Sequence, residues 1–323
     1  MSRARRLILS VGIILTLGLA IWGMVTVLAG HDVRARIENM EAQRKFAETG
    51  EGLVEYAVTG EGPPLLVIHG AGGGFDQGQL FAEAFIGEGY RRIAPSRFGY
   101  LGSPLPDNAS TSAQADAFAA LMDDLGLDRV HILAVSGGVP PALQLASRHP
   151  ERVSGLVLLS PAPFTPHGAP DGERPIPAWV YEALFGSDTV YWTLSKLAPS
   201  RLREAFDARA ELLVGLSNEE RHRVDRIVES FLPASRRIEG IGNEVAAIAP
   251  DARYALEDIA APALIVHARD DRINPFAIGV DLSQRIENAQ FLEIERGGHL
   301  LLGHHEEIRG RVRTFLDGIS TPE

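Results

Sequence analysis

The chain has 323 residues, 45% of them hydrophobic, with 33 Gly, 20 Pro and no Cys. That length suits one large α/β domain with an insertion or two small domains, and it can bury a sizeable core. The missing cysteine removes disulfides, thiol nucleophiles and thiolate metal sites, and a net charge of -11 argues against nucleic acid as a partner, because that polyanion wants a basic face.

Arg3, Arg5 and Arg6 precede an apolar run over residues 7–29. At about 23 residues the run can span a bilayer core, and it exceeds the roughly 7–15 apolar residues of a cleavable signal. Val27-Leu28-Ala29 nevertheless resembles a signal-peptidase site, so residues 1–30 read as an uncleaved single-pass anchor or as a signal segment. Either reading keeps the arginines inside and sends the remainder to the extracytoplasmic side, membrane-bound or secreted. Residues 31–46 are charged and helix-tolerant, and 31–52 read as a stalk or linker.

A sheet rhythm then begins. Residues 53–58 alternate like a half-exposed strand, and Thr59-Gly60-Glu61-Gly62-Pro63 is a turn cluster. Pro64-Leu65-Leu66-Val67-Ile68 is a continuous apolar run, as in a strand buried on both faces of a parallel sheet. It ends in His69-Gly70-Ala71-Gly72-Gly73-Gly74. That loop lacks the Lys-Ser/Thr ending of a P-loop and the spacing of a dinucleotide fold. It reads better as a loop offering a backbone N–H to an oxyanion, near Ala71 or Gly72, with His69 a structural hydrogen-bonder. A helix over 81–89, a strand over 90–95 and a glycine-punctuated loop from Ser96 to Pro104 follow. Phe118, Leu121, Met122 and Leu125 give residues 112–125 helical spacing.

Val130-His131-Ile132-Leu133-Ala134-Val135 is a β-prone run that climbs to Ser136-Gly137-Gly138, and Pro140 and Pro141 open a helix. Strand, sharp turn, serine, helix is a nucleophile elbow. Its turn is strained and needs small neighbours, here Ala134 and Gly138. The helix N-terminus behind Ser136 and the N–H of Gly137 can stabilise an oxyanion. Another buried strand covers 154–160. From Pro161 to about Ala260 the rhythm breaks into helices around 179–185, 189–196, 202–213 and 218–232, which read as an inserted cap over residues 165–260. Trp179, Tyr181, Phe185, Tyr191, Trp192 and Phe231 either line a pocket or simply pack that cap. The sheet domain resumes over 261–323 with a strand at 263–268, a helix at 276–286, a strand at 290–295 and an amphipathic helix at 306–316.

Parallel-sheet sites collect at the carboxyl ends of strands. Ser136, Asp271 and His299 all sit just beyond such ends. A serine needs a base to take its proton, His299 can do so at neutral pH, and a carboxylate holds the imidazole tautomer. Asp270 competes with Asp271 for the acid. His267 reads as a supporting residue inside a strand, and His304 and His305 as surface or capping residues. None of them forms a metal-binding pattern, and no cofactor is implied.

The order Ser136, Asp271, His299 is the order used by α/β-hydrolases. Residues 53–316 resemble that fold family through His69-Gly70 and its glycine loop, the Arg97–Ser103 loop, the Ser136 elbow, Asp271 four before Pro275, and Gly298-His299. The resemblance implies an α/β fold with a mostly parallel central sheet, helices on both faces and a helical cap, residues 53–164 and 261–323 forming the core. It implies Asp271 as the acid, and an oxyanion hole from Ala71 and Gly137. Two departures stand out: Ala134 at the first elbow glycine, and Ala94-Pro95-Ser96 where many members carry an aspartate before the arginine loop. The activity implied is a serine hydrolase, carboxylesterase-like, acting on a small, largely apolar acyl substrate through an acyl-enzyme. A carbon–carbon bond hydrolase or perhydrolase of the same fold is the alternative, and a non-catalytic hydrolase-fold receptor the second.

Overall fold

The computed structural model describes residues 3–167 and 185–319. Trp179, Tyr181 and the helix expected around 179–185 lie outside the described residues, apart from Phe185. Among the described residues the strands are β1 (Lys45–Thr49), β2 (Gly52–Thr59), β3 (Pro64–Ile68), β4 (Arg91–Pro95), β5 (Val130–Val135), β6 (Val153–Leu159), β7 (Ala263–Ala268) and β8 (Ala289–Ile294). They form one eight-stranded sheet in the order β1-β2-β4-β3-β5-β6-β7-β8. β2 runs antiparallel to both of its neighbours, β1 and β4, and the remaining pairs are parallel. The reversal of strand order puts a crevice beside the ends of β3 and β5, where ligands of open α/β sheets bind.

The helices are α1 (Arg3–Glu41), α2 (Phe75–Phe85), α3 (Thr111–Asp124), α4 (Val139–Arg148), α5 (Asp188–Leu197), α6 (Pro199–Ala205), α7 (Ala210–Leu213), α8 (Asn218–Glu229), α9 (Ile238–Asn243), α10 (Phe276–Arg285) and α11 (His305–Asp317). Every residue of β5, β6 and β7 is buried, His131, Ser154 and His267 included, which explains why these strands read as nearly continuous apolar runs. Alternate side chains serve opposite layers. Ile132 and Ala134 meet Phe118, Leu143 and Leu282 from α3, α4 and α10 on one face. Leu133 and Val135 meet the layer of Phe81, Phe85, Ile308 and Val312 from α2 and α11 on the other.

Four local expectations differ from the structure. The stalk is ordered: α1 runs without a break from the apolar run through residue 41, and β1 then joins the sheet edge. In β1 a single side chain, Ala47, is buried, too thin an apolar pattern to announce a strand. The second helix begins at Phe75, not at residue 81, because Phe75, Gly78, Phe81, Ala82 and Phe85 already form its buried face behind the polar Asp76, Gln77 and Gln79. The helix expected over 202–213 is broken into α6 and α7 by Asp207, whose φ is 60°, a left-handed conformation that Asp tolerates better than most residues.

His305 is the fourth. It is 2% exposed, stacks on Phe85 with ring centroids 5.1 Å apart, and lies with Nδ1 3.3 Å from Glu220 of α8. It is neither a surface nor a capping residue, because it fills the seam between α11 and the cap. His304 beside it is half-buried and contacts Glu307 and the Arg296 carbonyl. Burial, and after it the charge of Arg223, outweighs Glu220 and pushes the His305 imidazole down to about 4. An unfolded histidine takes up its proton near pH 6.5. Protons therefore favour the unfolded chain between pH 6.5 and about 4. Stability drawn from this site is full above pH 6.5 and falls with acidification by up to about 1.4 kcal/mol per pH unit. Urea unfolding at a series of pH values should show this slope in the wild type, and His305→Gln, which keeps a donor for Glu220 but does not titrate, should flatten it.

Candidate active site

β5 delivers Ser136 at its carboxyl end with φ 51°, the strained turn expected of an elbow. The glycines behind it are demanded by close approach. A methyl group on Gly138 would lie 2.5 Å from the Ile68 carbonyl oxygen and 2.6 Å from that of His69, and one on Gly137 would lie 2.5 Å from Glu244 Oε2. Ala134 carries a methyl where a glycine is usual, and it is accommodated inside the sheet between Ile68 and Leu158. Ser96, the other departure, donates to the buried Glu55 of β2 at 2.9 Å, so the neighbouring strand brings a carboxylate to this place.

The structure brings Ser136, His299 and Asp271 into one hydrogen-bonded chain. His299 Nε2 is 3.1 Å from Ser136 Oγ, and His299 Nδ1 is 2.9 Å from Asp271 Oδ2. The Asp271 side chain is fully buried. It also faces His267 Nε2 at 3.2 Å and accepts from the N–H groups of Ile273 and Asn274 at 2.8 and 2.9 Å. Burial alone would raise its pKa, but the facing His299 ring and the hydrogen bonds from His267, His299 and Asn274 hold it well below the usual carboxylate range. It is therefore ionised at neutral pH and offers an acceptor to His299 Nδ1, an arrangement that points Nε2 at the Ser136 hydroxyl. Such a chain can move a proton from a serine hydroxyl to an imidazole.

Asp270 points elsewhere. Its Oδ1 accepts from Gly297 and Gly298, each at 2.8 Å, and its Oδ2 pairs with Arg209 at 2.5 Å. Burial would raise its pKa, yet the two N–H groups and Arg209 lower it. Asn274 joins the site without a motif to mark it: it is 4% exposed and donates to Ser136 Oγ at 3.3 Å and to the Ser160 carbonyl at 2.8 Å. Its sole sequence signal is its place in the same turn as Asp271.

On the other side of Ser136, the glycine loop is tied down from several directions. The Arg97 N–H donates to His69 Nε2 at 2.9 Å, so His69 is a structural hydrogen-bonder; burial and Arg97 hold it neutral, well below its ordinary pKa. The Gly72 N–H donates to the Tyr100 hydroxyl at 3.3 Å, and that hydroxyl donates to Glu244. The Ala71 nitrogen lies 3.2 Å from where a methyl on Gly137 would be. Among the described residues its N–H has no protein acceptor. Of the two loop positions considered for an oxyanion, Gly72 is thus engaged and Ala71 faces the elbow.

A cavity of about 280 Å³ opens over Ser136. Phe185, Tyr191 and Phe231 line it, together with Phe206, Leu202 and Ile227. Trp192 instead turns away and donates from Nε1 to Asp32 of α1 at 2.9 Å. Fold and site together define an α/β enzyme with a serine at an elbow under an apolar cap.

A family model for the α/β hydrolase fold matches residues 63–306. The chain belongs to the α/β-hydrolase fold family and is a hydrolase. It is 31% identical over 272 residues to a 2-hydroxymuconate semialdehyde hydrolase of Pseudomonas putida, covering 80% of this chain and 88% of the relative. It is 29% identical over 272 residues to a 2-hydroxy-6-oxo-6-phenylhexa-2,4-dienoate hydrolase of Comamonas testosteroni, covering 79% and 89%. An alpha/beta hydrolase fold protein from Nakamurella multipartita superposes with a TM-score of 0.70 at 29% identity, over 84% of this chain and 98% of that one.

The two aspartates make different predictions. Asp271→Asn, which disturbs the His299 tautomer, should lower the rate of Ser136 modification by a fluorophosphonate about 10³- to 10⁴-fold. Asp270→Asn keeps an acceptor for Gly297 and Gly298 and should lower it on the order of tenfold or less. Comparing second-order labelling rates of the two variants checks both.

Proposed function

We propose that the protein is a serine-dependent hydrolase of a small, largely apolar acyl substrate. The observation that carries the reading is the Ser136–His299–Asp271 chain at the floor of the apolar cavity. Ser136 Oγ attacks the substrate carbonyl while His299 Nε2 takes its proton. The N–H groups of Ala71 and Gly137 receive the developing oxyanion. His299 then gives the proton to the departing group, leaving an acyl-enzyme on Ser136. Water, activated by the same imidazole, releases the acid and restores the serine.

The bond broken is read from two sides. The curated relatives are named for hydrolases of 2-hydroxy-6-oxo-dienoates and of a muconate semialdehyde, which favours a carbon–carbon bond next to a ketone or aldehyde, with an enolate carbon as the leaving group, ahead of the ester expected from the sequence. The ester reading keeps one specific support: among the described residues the cavity lining contains no Lys or Arg to hold a substrate carboxylate. Wild type and Ser136→Ala, assayed with 2-hydroxy-6-oxo-6-phenylhexa-2,4-dienoate and with p-nitrophenyl butyrate, separate the two. Turnover of the dienoate, lost in the variant, with weak ester hydrolysis is the expected result. The reverse preference would establish the esterase, and activity surviving Ser136→Ala would end the serine mechanism.

For location, among the described residues one helix is apolar and long enough to cross a bilayer, with a mean hydropathy of 2.3 over its most apolar stretch, which is unburied. We read it as a retained single-pass anchor with the catalytic domain on the extracytoplasmic side; the alternative is a secreted protein after signal cleavage. Mass spectrometry of the N-terminal peptide from a membrane fraction should find the arginine-flanked segment attached. A mature chain starting near Gly30 would end the anchor reading.

A further inference from the structure

The cap touches the site in a place that neither the proposed chemistry nor the pocket uses. Between α6 and α7 the chain turns at Asp207, in left-handed conformation and 3% exposed. One oxygen, Oδ2, accepts two backbone N–H groups: that of His299 at 2.9 Å and that of Arg272 at 3.1 Å. The first belongs to the residue read as the base. The second belongs to the residue following the one read as the acid. The other oxygen, Oδ1, lies 3.1 Å from Arg209 Nε. Arg209 in turn reaches the Asp270 carbonyl at 3.1 Å and its carboxylate at 2.5 Å, and Asp270 gathers the N–H groups of Gly297 and Gly298. Gly298 shows how close the approach is. Its φ is 59°, and a methyl group there would lie 2.8 Å from Asp207 Oδ2.

We propose that Asp207, braced by Arg209, is the positioning residue for the catalytic base and acid: a cap carboxylate that sets the spacing between the His299 loop and the Asp271 loop. The role rests on the reading of Ser136, His299 and Asp271 as the reacting groups. The physical argument is one of registration. His299 must meet Ser136 on one side and Asp271 on the other, and the two loops come from the ends of different strands, β8 and β7. Side-chain hydrogen bonds within the triad orient the ring but do not fix where its backbone stands. An acceptor shared by both loops does, together with the Asp270 carboxylate on Gly297 and Gly298 and the Ser160 hydroxyl on the His299 carbonyl, and displacements on the order of 1 Å at such sites cost about 100-fold in rate. Asp207 touches no substrate in this account. Its neighbour Phe206 lines the cavity and packs edge-on against Phe231, centroids 4.5 Å apart, so the segment that shapes the pocket also holds the base.

The test uses the full chain and compares wild type, Asp207→Ala, Asp207→Asn and Arg209→Gln. Each is measured for kcat and KM on whichever of the two substrates above the wild type turns over, and for the rate of Ser136 labelling by a fluorophosphonate. Asp207→Ala should lower kcat and labelling about 10- to 100-fold with KM within about twofold. Asp207→Asn keeps an oxygen for both N–H groups and should restore most of the loss, a rescue that depends on hydrogen-bond acceptance and not on charge. Arg209→Gln should lower kcat by a smaller factor, again without moving KM. If Asp207→Ala fails to fold, Arg209→Gln carries the same test. A folded Asp207→Ala or Arg209→Gln with wild-type kcat would overturn the proposal, and so would a loss shared equally by KM with no rescue by asparagine. A wild type that does not label at Ser136 would overturn the serine mechanism and this role together; a wild type that labels while Asp207→Ala labels equally well overturns this role alone.

Discussion

The Asp271 carboxylate has no contact with water, and much of the site is organised by what that requires. A buried carboxylate is tolerated when every lone pair finds a donor. Here two imidazoles share one oxygen and two successive backbone N–H groups share the other. The backbone donors force the chain into a tight turn directly after β7. The imidazoles come from inside β7 and from the loop after β8. Satisfying one charge therefore fixes a turn, a tautomer and the relation between two strands. Asn274, held in that turn, then reaches back to Ser136 and to the end of β6, so the same constraint extends to the elbow.

The cap is part of this arrangement and not a cover laid over it. Arg237, fully buried, donates to the Gly73 carbonyl and pairs with Asp76 at the start of α2. Glu244 pairs with Arg97 at 2.5 Å and accepts from Tyr100. Those contacts brace the glycine loop, while Asp207 and Arg209 brace the opposite loops. Buried ion pairs add little net stability against well-packed apolar groups, but breaking one partner away is expensive. Their value here is geometric. A cap docked by apolar contacts alone could slide by an ångström at little cost, whereas one docked by charge pairs at both ends of the crevice cannot.

The sequence made the proposed site legible. Ser136 and Asp271 follow the buried strands β5 and β7, and the small residues around Ser136 and before His299 mark places where backbone meets backbone. The buried strands were readable because burial on both faces leaves each a single polar residue, His131, Ser154 or His267, in an otherwise apolar run. What escaped notice lacks periodicity. β1 buries one side chain. Asp207 breaks a helix whose apolar spacing continues across it, and its purpose appears only when Gly298, far along the chain, is seen against it. The same holds for Arg237, Glu244 and His305, charged or titratable residues in polar surroundings whose burial depends on partners distant in sequence. Cap residues are assigned by contacts, and contacts across an insertion leave no local pattern.

The N-terminal helix shows how far this dependence reaches. Val33 is buried in a cluster with Tyr191, Leu202, Val228 and Phe231, and Ile37 packs against it. Tyr191, Leu202 and Phe231 are also cavity-lining residues. At 1.5 Å per residue, Val33 lies within about one turn of Ala29, where the apolar run ends. The outer wall of the pocket thus leans on the helix immediately beyond the segment read as an anchor, reinforced by Trp192 to Asp32 and by Arg36 to Glu229. A chain retained in a bilayer and a chain cut after Ala29 would both keep this support. A chain lacking residues 30–41 would not, and its pocket would lose a layer of packing behind the aromatic residues that define it.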